Sequence, residues 1–171
     1  MRHWPFCILI AMCGCTPSQP NPPTSAVAVK VQYPIVAGDV EVTIGDVREI
    51  IAPVNSATAG SKWIQHTVTY TNKSNEAIWV AGYSEAELFS GIETRTNDTA
   101  EWRDYGLGYC GTGAGEFEIA PNAAFSFTAT LPEKYVGEEF RVLVPYRTER
   151  AGQHWLQAAS QARLVSRPET R

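Results

Sequence analysis

The stretch Tyr105 to Gly115, YGLGYCGTGAG, gathers the residue types in this chain that could do chemistry: a thiol, two phenols and a run of glycines. Gly106-Leu107-Gly108-Tyr109-Cys110-Gly111 has the spacing of a dinucleotide fingerprint. That chemistry needs a preceding strand, a helix whose N-terminus meets the pyrophosphate, and an acidic residue farther on. The next residues, Glu116-Phe117-Glu118-Ile119-Ala120-Pro121, read instead as a strand and a turn, so the glycines predict a loop with freedom for positive φ and close backbone approach. No cofactor is expected.

A thiol nucleophile at Cys110 would need a base, and outside the first residues the histidines are His66 and His154. His66 falls on the inward face of a predicted strand, which leaves Cys110 readable either as a nucleophile or as a small buried side chain. The two histidines and one cysteine show no metal-ligand spacing. Glu85, Glu87, Glu93, Asp98, Glu101 and Asp104 follow no calcium-loop template and predict a solvated acidic face. No catalytic residues and no enzymatic activity are predicted. The composition that does suggest recognition is Trp102, Arg103, Tyr105 and Tyr109 beside the glycines, since rigid aromatics with an arginine are typical of binding hot spots. The competing account has Trp102 and Tyr109 covering the open end of the fold.

Around that loop the chain reads as all-β. From Lys62 to Gly82, KWIQHTVTYTNKSNEAIWVAG, Ile64, His66, Val68 and Tyr70 share one face and Trp63, Gln65, Thr67, Thr69 and Thr71 the other. The cluster Asn72 to Asn75 then breaks the pattern before Ile78 and Val80 resume it, which predicts a β-hairpin. Further strands are predicted at Val27–Tyr33, Val40–Ile44 and Ile50–Val54, and Gly91–Arg95 with Ala100–Asp104 forms a second hairpin. Phe125, Phe127, Ala129 and Leu131 share a face, as do Phe140, Val142, Val144 and Tyr146. Pro145 lacks a donor and predicts an edge or a bulge there. Residues 154–162 fit either a helical turn or a strand. The expectation is an antiparallel β-sandwich of seven to nine strands over residues 27–166, with 167–171 as a tail.

The 171 residues, 44% of them hydrophobic, can bury one good core. A formal net charge of −4 repels phosphate backbones, so nucleic acid is not an expected partner.

Met1 to Gly14 has the form of an export signal, with Arg2 ahead of the apolar run Phe6 to Met12, too short to span a bilayer. Met12-Cys13-Gly14-Cys15 resembles the lipobox of bacterial lipoproteins, in which a small residue precedes the cysteine that is diacylated and becomes the new N-terminus. Gly14 before Cys15 fits; cleavage before Cys13 would put bulky Met12 at the small position. The resemblance implies residues 1–14 as signal peptide, lipidation of Cys15 and a membrane partner through that anchor. Thr16 after Cys15, rather than Asp, implies the outer membrane, facing the periplasm. Residues 15–26 form a flexible tether rich in proline. The strand pattern is similar to the immunoglobulin-like sandwiches of bacterial envelope proteins, without their paired-cysteine and tryptophan hallmark. The joint expectation is a lipid-anchored, noncatalytic binding module whose partner is another envelope protein, or else an inhibitor or immunity lipoprotein that blocks a wall-degrading enzyme with a loop.

Overall fold

Alternating burial along the strands sorts them into two layers that share one core. The computed structural model describes residues 33–51, 59–84, 87–105, 114–150 and 152–168. Its strands are, in chain order, β1 (Val40–Ile51), β2 (Lys62–Asn72), β3 (Ile78–Ser84), β4 (Glu87–Leu88), β5 (Gly91–Arg95), β6 (Arg103–Asp104), β7 (Gly115–Ile119), β8 (Ala124–Pro132), β9 (Glu139–Arg147), β10 (Leu156–Ala159) and β11 (Arg163–Leu164). A 3-10 turn at Glu133–Tyr135 separates β8 from β9. One sheet has the order β1-β2-β8; the other holds β3 to β7 and β9 to β11. All pairings between named strands are antiparallel. The fold is the expected all-β sandwich, and three of its eleven strands are only two residues long.

The inward faces read from the sequence hold. Ile64, His66, Val68 and Tyr70 of β2, Phe127, Ala129 and Leu131 of β8, and Phe140, Val142, Val144 and Tyr146 of β9 are all buried. The second hairpin also forms, with Glu93 opposite Asp104 and Thr94 opposite Arg103. Residues 156–159 form a strand against β9. The predicted strand at Val27–Tyr33 and the end of the one at Ile50–Val54 lie outside the described residues.

The first predicted hairpin is corrected. β2 and β3 belong to different sheets, because both edges of β2 are taken by long ladders to β1 and β8. The polar segment between them therefore crosses the sandwich, a path of about 10 Å between layers. Asn72 fixes the crossing. It is fully buried, and its Nδ2 donates to the carbonyls of Glu76 (2.8 Å) and Ile119 (3.0 Å). Its Oδ1 accepts from the Ser74 amide (2.9 Å) and hydroxyl (2.7 Å). The Asn72 main chain bonds Ala123 and Asn122 at the start of β8. Turn-forming residues carry the same polar signature whether the chain returns within a sheet or leaves it, so alternation alone could not separate the two.

Pro145 is a second correction. β9 is interior, flanked on one edge by β10 and β11 and on the other by β5 and then β3. β5 pairs as far as Leu143 and β3 takes over at Tyr146, so Pro145 stands where β9 changes partner. Its neighbour on β10, Gln157, turns both backbone groups away from β9 toward Pro34 and Val36. The missing N–H thus faces the gap between β5 and β3, where a donor has no ladder partner.

The core includes polar atoms. The His66 ring lies against Phe140, with centroids 4.6 Å apart, and neither ring nitrogen has a hydrogen-bond partner among the described residues. Burial, and secondarily the charge of Arg163, pushes its pKa down from 6.5 to about 4. The buried hydroxyls of Tyr70 and Tyr146 likewise have no partner among the described residues, and burial raises both phenols.

Two outcomes are expected. Asn72→Ala removes four side-chain hydrogen bonds at a fully buried position, so denaturant unfolding should show a loss of about 2–4 kcal/mol. For His66, the unfolded chain takes up a proton at higher pH than the folded one. Its contribution is complete above pH 6.5 and is lost as pH falls toward 4, by about 3 kcal/mol in all. The stability difference between the wild type and His66→Leu should therefore change with pH across that window; a constant difference would rule the mechanism out.

Candidate functional site

β5 and β9 place charged residues in register on the outer face of the larger sheet. Ile92, Thr94, Phe140 and Val142 point into the core, so Glu93, Arg95, Glu139 and Arg141 between them point out. The register sets Glu93 opposite Arg141 and Arg95 opposite Glu139. Arg141 Nε donates to Glu93 Oε2 at 2.8 Å, and Arg95 Nε to Glu139 Oε2 at 2.5 Å. Arg95 also donates to the Asp98 carbonyl in the turn after β5.

Trp102, just before β6, covers this grid. The guanidinium carbons of Arg95 and Arg141 each lie 4.5 Å from its ring centroid. Arg103 reaches Glu138 at 2.9 Å. Tyr105 is tied to β5 through its amide, 2.8 Å from the Ile92 carbonyl. Its ring stands edge-on to Tyr135, with centroids 5.3 Å apart. Burial, then the neighbouring Tyr135, raises the Tyr105 phenol.

Trp102, Arg103 and Tyr105 thus all lie beside β5 but not on one face: Trp102 covers the outer charged grid, whereas Arg103, opposite inward Thr94, and Tyr105, packed against the core, alternate to the other face. Tyr109, Cys110 and Cys15 lie outside the described residues. His66 is sealed in the core. Glu93, expected on a solvated acidic face, is instead 5% exposed and held by Arg141. The sequence signal for this grid was present: Glu93 and Arg95 alternate with inward residues, as do Glu139 and Arg141. Only the register shows that each acid meets a base.

A second arginine stack has no counterpart among the sequence expectations. Arg147, at the end of β9, is 6% exposed, lies 4.5 Å over the Trp155 ring and pairs with Glu116 of β7. A lateral cleft of ≈ 620 Å³, lined by Ile35, Val40, Val42, Ile44, Lys73 and Arg163 among others, opens between β1 and the β10–β11 edge. None of the residues around Trp102 lines it. Among the described residues no group of three or more His, Cys, Asp or Glu could hold a metal ion. No described helix is long and apolar enough to cross a membrane.

Comparison with known proteins gives fold likeness alone. No protein-family model matches the chain, and no curated protein matches its sequence. Among solved structures, the X-ray structure of the structural-genomics target SoR45 is similar at a TM-score of 0.50 and 15% identity, covering 76% of this chain and 88% of that one. The putative ApaA protein from Bordetella pertussis is similar at a TM-score of 0.49 and 19% identity, covering 81% of this chain and 98% of that one.

The stack on Trp102 has a measurable signature. Each exposed cation–π contact is worth about 0.5–1 kcal/mol, so Trp102→Ala should cost about 1–2 kcal/mol while leaving the sandwich folded. In a double-mutant cycle, Trp102→Ala and Arg141→Ala should couple by about 0.5–1 kcal/mol in denaturant unfolding. Strict additivity would mean that the ring and the guanidinium do not interact.

Proposed function

We propose that this chain is a bacterial envelope lipoprotein, anchored through Cys15, which holds a β-sandwich on a proline-rich tether and acts by binding another envelope component. The observation that carries the reading is Cys15 directly after small Gly14, at the end of a short apolar run and ahead of the polar stretch TPSQPNPPTS. The acyl chains of a processed lipoprotein supply stable retention that one chain alone does not. The tether sets the sandwich at a distance from the bilayer.

Support for a binding role comes from the side of the domain that carries Trp102. An indole held on the outer sheet face against two ion-paired arginines offers a preorganised polar and aromatic surface. The same composition favours one second reading, an inhibitor or immunity lipoprotein that inserts this loop into the cleft of a wall-degrading enzyme. A crosslinking capture from the native host separates the two: a hydrolase favours inhibition, and an envelope assembly favours the accessory role.

The anchor is tested by metabolic labelling. Cys15→Ser should accumulate as an unprocessed precursor that takes up no palmitate, while Cys13→Ser should be processed and labelled as the wild type is. Normal labelling of the Cys15 variant would remove the anchor from the account.

A further inference from the structure

Most described flanks of the two sheets carry a feature that hinders pairing with another chain. β1 carries Glu41, Asp46, Arg48 and Glu49, shifts register between Ile44 and Val47, and has its Ile44 and Gly45 carbonyls capped by the Arg163 guanidinium. β7 carries Glu116 and Glu118, and β6 is two residues long. Pro34 to Val36 hydrogen-bonds along β10 through Gln157. Charges, bulges, short strands and covering segments are the devices that keep a sheet edge from pairing with another chain. β8 has none of them except a terminal proline. It is nine residues long, carries no charge, and keeps an unbroken register with β2 from Pro132 to Ala124.

The hydrogen-bond phase of that edge is fixed by Asn72, whose amide donates to Ala123 and whose carbonyl accepts from Asn122. Backbone groups alternate direction along a strand, so Tyr70, Val68, His66 and Ile64 also face β8. Their partners Phe125, Phe127, Ala129 and Leu131 spend their backbone groups on β2. Ser126, Thr128 and Thr130 are left with N–H and C=O pointing away from the sheet, and no described residue bonds them there.

We propose that β8 is a homodimer edge: two copies of this chain pair β8 with β8, antiparallel, about a two-fold axis through Thr128, joining two three-stranded sheets into one. The strand is self-complementary in that register. Thr128 faces Thr128 and Ser126 faces Thr130, so all three outward-bonding residues meet outward-bonding residues. Their side chains form hydroxyl pairs of the kind that stabilise neighbouring strands. On the core side Phe127 meets Ala129 and Phe125 meets Leu131, with no like charges opposed. Pro132, which has no donor, falls at the end of the ladder opposite Ala124, where its loss matters least. A two-fold contact of this kind closes on itself and leaves no further β8 edge to propagate a fibre.

The test is sedimentation velocity on the full chain in mild detergent, from micromolar to submillimolar concentration. The expected result is a species of twice the chain mass. Thr128→Lys opposes like charges on the axis and should give a single-copy species with an unchanged β-rich circular-dichroism spectrum. Thr128→Cys places two thiols across the axis on Cα atoms about 5.5 Å apart, within disulfide reach. It should yield a reducible band at twice the mass under mild oxidation, above the wild-type background, whereas Thr43→Cys on the opposite flank should not. A single-copy mass at every concentration, a dimer unchanged by Thr128→Lys, or no added crosslink at position 128 would each overturn the proposal. Thr128→Lys has the same N-terminus as the wild type, so the difference between the two in one detergent is independent of whether Cys15 carries lipid.

Discussion

One buried amide governs how this chain is laid out. Asn72 ends β2, and its side chain and main chain together hold the crossing to β3, the last residue of β7 and the turn into β8. The side chain uses both donors and accepts at its oxygen from two groups, the condition under which a polar group in a core stabilises instead of costing energy. The same bonds set which β2 residues face β8, and so the phase of the whole smaller sheet. A single corner thereby couples the inter-sheet connection to the register of the strands on either side.

The larger sheet is organised by β9, which has neighbours on both edges along most of its length. Its inward residues close the core against β2 and β8. Its outward charges meet counter-charges on neighbouring strands, and aromatics cap the arginines: Arg141, with Arg95 of β5, against Trp102 near one end, Arg147 against Trp155 near the other. Such pairs let a half-buried surface keep charge without leaving it unpaired. They also make the Trp102 side of the domain a shaped surface rather than a mobile loop, which is what a preorganised recognition surface requires.

The two sheets differ in what they show to solvent. The smaller one turns Thr43, Thr67, Thr69, Ser126, Thr128 and Thr130 outward, with Thr69 and Ser126 in hydrogen-bond contact at 3.1 Å. Short hydroxyl side chains give this sheet a low, uncharged face along β8, whereas the rows Glu93–Arg141 and Arg95–Glu139 of the larger sheet are ion-paired. Binding through Trp102 and pairing through β8 would use different parts of the domain.

The sequence by itself determined the class of fold and nearly all of the core, because period-two alternation is a local property: which side Phe127 or Val142 faces depends on its neighbours alone. The residues Met12 to Cys15, on which the proposed anchor rests, are likewise a pattern of adjacent residues that needs no fold to be legible. The points the sequence left open all depend on partners distant in the chain. Asn72 to Asn75 reads as a turn, but only the occupied edges of β2 make it a crossing. Pro145 reads as an edge, but only the handover from β5 to β3 lets a donorless residue sit inside a sheet. Glu93 reads as solvated until the register sets Arg141 opposite, and Trp102 reads either as a binding residue or as a cover for the open end until two guanidiniums from different strands are brought under it. Tertiary structure decided these points because hydrogen-bond partners and counter-charges are assigned by register, and register is a relation between strands that no single stretch of sequence contains.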